Sequence, residues 1–165
     1  MERLLNTILS RVDFVARYVL LGCMSVMIAV VASQVFIRYV LNSSIDWADE
    51  VSRLAFIWSI FIAIPLGIRE GAHVGIDILT TRLPSALARH VNRAMLTLAF
   101  VLMCVVTYQS AIVAYQTWSE RLGAINISSS YFFVAIIIGS AHAALHLLHL
   151  VLHPLDARGP DYPID

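Results

Sequence analysis

Four stretches of this chain carry no Asp, Glu, Lys or Arg and are dominated by aliphatic and aromatic residues: Tyr18 to Ile37, Leu54 to Ile68, Ala94 to Ser119 and Tyr131 to Leu152. A helix rises about 1.5 Å per residue, so the first alone covers about 30 Å, the thickness of a bilayer's hydrocarbon core. A backbone at that depth must satisfy its own polar groups, which selects helices. The chain is therefore expected to be an all-α integral membrane protein with four transmembrane helices, spanning approximately residues 14–41, 47–70, 85–119 and 129–153 of one membrane domain, 1–165. Composition agrees: 59% of residues are hydrophobic, 13% are charged and the mean hydropathy is +0.80. A soluble globular domain does not look like this.

The first span competes with a secretory signal peptide, because Arg3, Arg11 and Arg17 precede it and Ala32-Ser33 offers small residues. Its apolar run exceeds the roughly 7 to 15 residues of a signal core and continues to Arg38-Tyr39, so a retained span is expected. Asn42-Ser43-Ser44 interrupts the helical pattern. Asp46 can then cap a second helix whose first turn holds Asp49 and Glu50 at the positive end of its dipole. The charge-free part of that span, Leu54 to Ile68, is fifteen residues. It is too short to cross alone, which places Trp47 to Arg53 in an interfacial segment. Glu50 and Arg53, three apart on one face, are expected to be half-buried and to neutralise each other. Pro65 removes a backbone donor and predicts a kink one turn before the exit.

Arg69-Glu70-Gly71 forms a helix stop, with Arg69 at the negative end of the dipole and Gly71 supplying a left-handed turn. From His73 to Arg93 the chain is mixed and is expected to be a second interfacial segment. Pro84 suits the first turn of span three. Glu120-Arg121-Leu122-Gly123 ends that span, and Ser128-Ser129-Ser130 provides capping side chains for the fourth.

All eleven basic residues are arginine, balanced by eleven acids. With both termini inside, Arg3, Arg11, Arg17, Arg69, Arg82, Arg89, Arg93 and Arg158 lie on the cytoplasmic side against Arg38, Arg53 and Arg121 outside. That asymmetry favours an N-in, C-in orientation. No extended basic-aromatic patch points to nucleic acid, and no glycine loop cradles phosphate. Cys23 and Cys104 fall inside apolar runs, where they act as small hydrophobes.

His142, His146, His149 and His153, spaced four, three and four, share one stripe of span four. Such a stripe raises a haem-bearing membrane anchor of a redox complex as an alternative, but a haem iron is commonly held by histidines from two helices, and His73 and His90 lie in the polar stretch ahead of the apolar part of span three. Nearby acids do not obviously complete a zinc set. The expectation is therefore no metal, no cofactor and no catalytic residue, with the histidines facing another helix or the inner headgroups. The Arg69 to Asp77 cluster likewise lacks a nucleophile or metal-ligand spacing. Gly22-x-x-Ser25 and Gly139-Ser140-x-x-Ala143 would allow close helix contact.

One motif is more specific. The run Phe36-x-Arg38-Tyr39, Trp47-x-x-Glu50-x-x-Arg53, Phe56-x-Trp58 and Arg69-Glu70-Gly71-x-His73-x-x-x-Asp77 resembles the small membrane subunit of tripartite ATP-independent periplasmic (TRAP) transporters. The resemblance implies a non-enzymatic subunit of the bacterial inner membrane. Its implied partners are a large multi-span TRAP permease, a periplasmic substrate-binding protein and membrane lipid, in a system that takes up an organic acid on an ion gradient. It also implies that Arg38, Trp47, Glu50, Arg53, Trp58, Arg69, Glu70, Gly71, His73 and Asp77 are candidates for partner contact. The small subunit of another tripartite carboxylate transporter is the neighbouring alternative.

Overall fold

The computed structural model describes residues 2–70 and 85–152. These form four helices, α1 (Glu2–Val40), α2 (Ala48–Arg69), α3 (Ser85–Gln116) and α4 (Ser130–Leu152), each long and apolar enough to cross a membrane. The expected stop at Gly71, the segment around His73 and Asp77, and Pro84, His153 and the C-terminal tail lie outside the described residues.

α1 ends where the sequence interruption predicts. Asn42 takes a left-handed φ of 52°, and the N–H groups of Leu41 and Ser43 both turn back to the Ile37 carbonyl, at 3.0 and 3.4 Å. Asparagine tolerates this conformation better than most side chains, and the reversal closes the helix. The start of α2 differs from expectation. Trp47, not Asp46, holds the capping position, with helical dihedrals and no side-chain cap. A tight turn already brings the Ala48 N–H to the Ile45 carbonyl at 3.2 Å, while the Asp46 carboxylate accepts from the Ser44 hydroxyl at 3.4 Å. Asp49 and Glu50 remain in the first turn, as their charge favours.

The helices pack in the order α1, α2, α4, α3, each against the next. α2 and α4 are central: 28% and 44% of their most apolar windows are buried, against 11% for α3 and none for α1. The outer two helices therefore offer most of their apolar surface to whatever surrounds the bundle. Between the central pair, Gly139 is indispensable, since a Cβ there would stand 2.6 Å from the Phe61 carbonyl carbon and closer still to its oxygen. Pro65 explains why that oxygen is available, because the amide that would normally bond the Phe61 carbonyl belongs to residue 65. α2 continues as helix through Pro65, which is buried against its neighbours. By contrast, Gly22 has nothing within 4 Å of its Cβ position and mediates no close contact inside this chain.

α3 stops at Gln116, three residues before the expected end. The Thr117 hydroxyl donates back to the Val113 carbonyl at 2.9 Å, and the chain enters a compact reversal. There the Leu122 and Ser129 amides donate to the Ile127 and Glu120 carbonyls, each at 2.9 Å. The serine run does cap α4: Ser128 Oγ accepts the Ser130 amide at 3.2 Å and donates to the Trp118 carbonyl at 2.8 Å. Ser130 donates its hydroxyl to the Ala114 carbonyl at 2.6 Å, tying the start of α4 to the end of α3.

Candidate functional site

Polar side chains gather at the two ends of the bundle. At the end where α1 begins and α2 and α4 finish, Asp13 is 2% exposed. A carboxylate that deep requires partners, and three converge on it. Arg69 Nη1 donates to Oδ2 at 2.7 Å. His142 and His146 bring their Nε2 atoms to Oδ1, each at 2.9 Å, and those two nitrogens lie 3.2 Å apart. The histidines, one turn apart on α4, are both buried. Outside this group, the Arg17 guanidinium pairs with Glu70 at 3.0 Å across the exposed α1–α2 seam. That contact is solvent-facing and contributes roughly 0–1 kcal/mol.

Asp13 is the residue that the sequence did not single out. It sits in a leader dominated by arginines, and one acid there looks like ordinary solvated charge. Two signals bear on it: its neighbours Val12, Phe14 and Val15 are apolar, and a histidine stripe in a span calls for a polar counterpart on another helix. The expectation that no acid completes a set with those histidines omits α1, which supplies one. The arrangement also weighs against the haem alternative. His142 and His146 come from one helix and point at a common carboxylate, instead of facing each other across an iron.

At the opposite end, Glu50 does something other than neutralise Arg53. Its Oε1 and Oε2 accept the backbone amides of Ala124 and Ile125, both at 2.9 Å, so the carboxylate clasps the α3–α4 reversal from the first turn of α2. Among the described residues no ion pair joins Glu50 to Arg53, and Arg53 is exposed, not half-buried. Two oriented amides satisfy a carboxylate as an anion site does, and the guanidinium is left to solvent or to a partner. Gly123 lies beside this contact, its Cβ position an ordinary van der Waals distance of 3.5 Å from Glu50 Oε1. Nearby, Gln34 donates to Asp49 at 2.9 Å, linking α1 to α2. About two turns deeper, the Trp58 indole N–H donates to the Tyr131 carbonyl at 3.2 Å, so Trp58 faces protein and locks α2 to α4.

The sequence-derived candidates therefore separate. Glu50 and Trp58 are engaged within the chain, and Arg69 and Glu70 belong to the α1 contacts at the other end. Arg38, Arg53 and Trp47 are exposed at the Glu50 end. Gly71, His73 and Asp77 lie outside the described residues.

Four membrane-length helices with carboxylate-centred clasps at both ends define a polytopic helical membrane protein. Residues 27–157 match the family described as tripartite ATP-independent periplasmic transporters, DctQ component, and the chain belongs to that family. It is similar to a Haemophilus influenzae protein provisionally named a TRAP transporter small permease, 26% identical over 128 residues and covering 78% of each chain. It is also similar to the sialic acid TRAP transporter small permease SiaQ of Vibrio cholerae, 24% identical over 135 residues, covering 79% of this chain and 75% of that one. A shorter match, 26% over 77 residues, joins it to the C4-dicarboxylate TRAP transporter small permease DctQ of the same species, covering 47% of this chain and 33% of that one. The protein is thus a small permease subunit of a TRAP transporter in the bacterial inner membrane, a component that works with a large permease subunit.

Proposed function

We propose that this subunit is a membrane scaffold: it packs against the large permease, holds the static part of that permease in the bilayer, and presents its Glu50 end to a periplasmic binding protein. The observation that carries this is how the deep hydroxyls are used. Ser59 donates to the Ala55 carbonyl at 2.8 Å, Thr107 to Met103 at 2.8 Å and Ser140 to Ile136 at 2.6 Å, each within its own helix. Thr107 and Ser140 also meet each other at 2.8 Å, where one hydroxyl donates to the other in place of, or shared with, its intrahelical bond. These are neutral hydroxyls whose hydrogens are spent inside the bundle, and none is an ionisable group of the kind that coupling ions and carboxylates meet near the midplane. An open groove of about 530 Å³ beside Arg93, Thr97 and Val101 takes all its walls from α3 and encloses no path.

The unburied apolar faces of α1 and α3 supply surface for permease and lipid. The N-in, C-in orientation puts the Asp13 cluster at the cytoplasmic face, with Arg11, Arg17, Arg69, Arg89 and Arg93, and Arg38, Arg53 and Arg121 at the periplasmic face. In that orientation the exposed Trp47, Arg38 and Arg53 face the binding protein. The solute is an organic acid and uptake runs on an ion gradient, in keeping with relatives named for sialic acid and C4-dicarboxylates. Affinity purification of the large permease tests the assembly. This chain should co-elute at fixed stoichiometry, and its recovery as a separate monomer with transport intact in its absence would refute the scaffold role.

A further inference from the structure

We propose that Asp13, His142 and His146 form a site for a divalent transition metal of the zinc class, clipping α1 to α4 across α2. The case begins with proton counting. Asp13 Oδ1 and the two Nε2 atoms make a triangle with edges of 2.9, 2.9 and 3.2 Å. A neutral imidazole carries at most one hydrogen on Nε2, and that hydrogen lies along a single edge. If both nitrogens donate to Oδ1, the 3.2 Å edge sets two N–H groups against each other. If His142 donates to His146, the His146–Asp13 edge faces lone pair against lone pair. No placement of hydrogens on neutral rings makes all three edges favourable, whereas one cation facing three lone pairs does.

The dimensions fit that cation. Zinc holds nitrogen and carboxylate oxygen at about 2.0–2.2 Å, which at tetrahedral angles separates ligand atoms by about 3.3 Å. The edges here fall short of that by about 0.1 to 0.4 Å, within reach of small side-chain rotations. The donor set of two imidazoles and one carboxylate suits zinc and its neighbours and leaves a fourth position for water. Arg69, 2.7 Å from Oδ2, plays the part of an outer partner that fixes the carboxylate and leaves Oδ1 directed at the histidines. The three ligands are buried, unlike an adventitious surface cluster. Their placement gives the metal a role: α1 packs on α2 and α2 on α4, and this cluster is where α1 reaches α4.

The test uses the full-length subunit purified without a polyhistidine tag, stripped with chelator and titrated with Co²⁺ alone. One equivalent should bind with the intense visible absorption of a four-coordinate site and be displaced by Zn²⁺. His142→Ala should abolish that absorption. His146→Cys keeps a ligand and should add a sulfur-to-cobalt charge-transfer band, a signature that requires a folded site. Absence of stoichiometric Co²⁺ binding to the unaltered chain overturns the proposal and leaves a hydrogen-bonded network. So does binding undiminished in His142→Ala, or a His146→Cys spectrum lacking the new band.

Discussion

Gly139 on α4 stands against the carbonyl of Phe61 on α2, the one carbonyl that Pro65 deprives of its usual helical donor. Proline and glycine, both poor residues for a helix interior, cooperate here. One frees a backbone oxygen, and the other lets a second backbone come close enough to cover it. Gly139→Ala should therefore force α2 and α4 apart and destabilise the subunit by about 1–3 kcal/mol. Gly22→Ala, made into open space, should stay within about 0.5 kcal/mol of the parent. Thermal unfolding in detergent distinguishes the two.

The buried clasp should respond asymmetrically. Arg69→Ala leaves Oδ2 of Asp13, 2% exposed, without its guanidinium while the two histidines still hold Oδ1, and is expected to cost about 1–3 kcal/mol. Asp13→Asn leaves Arg69, whose side chain is 49% exposed, able to reach water, and should cost less. The double variant should be more stable than Arg69→Ala alone, because no buried carboxylate is left with Oδ2 unsatisfied and only the histidines on Oδ1. A double-mutant cycle on unfolding midpoints measures this coupling.

At the other end, Glu50→Ala removes two charge-assisted hydrogen bonds to the α3–α4 reversal. A loss of about 1.5–3 kcal/mol is expected, with faster hydrogen exchange at the Ala124 and Ile125 amides. Arg53→Ala should leave stability unchanged within about 0.5 kcal/mol, since its side chain is exposed and forms no ion pair with Glu50. If Arg53 meets the binding protein, the same substitution should reduce uptake without loss of the subunit. Stability and transport measured side by side on the two variants separate the roles.

These clasps also show what a one-dimensional pattern conveys. Charge-free runs locate the four spans because the bilayer excludes charge, and Asn42 and the serine run mark helix ends through local chemistry. Span ends drift, as at Gln116, where a threonine hydroxyl and the following reversal stop the helix before the apolar run ends. Partnerships are harder. Glu50 and Arg53 stand three apart and look like a pair, yet Glu50 is claimed by amides more than seventy positions away. Asp13 and His146 lie 133 residues apart, and only the packing of α1, α2 and α4 brings them together. Spacing reveals same-helix neighbours, whereas contacts between helices depend on rotation and register that the sequence leaves open.

The proposed N-in, C-in orientation rests on arginine placement and is tested by labelling. In a background with Cys23 and Cys104 replaced by alanine, a cysteine at Asn126 should react with an impermeant maleimide from the periplasmic side. One at Ser10 should react only after the inner membrane is opened. The reverse pattern would invert the assignment of the Asp13 and Glu50 ends.

The central claim is that this bundle supports transport without conducting solute. Uptake of a radiolabelled organic acid into sodium-loaded-outside proteoliposomes measures it directly, comparing this subunit alone with the subunit plus large permease and binding protein. The scaffold account predicts background counts for the lone subunit and gradient-dependent uptake for the full set. Gradient-dependent accumulation by the lone subunit would contradict it.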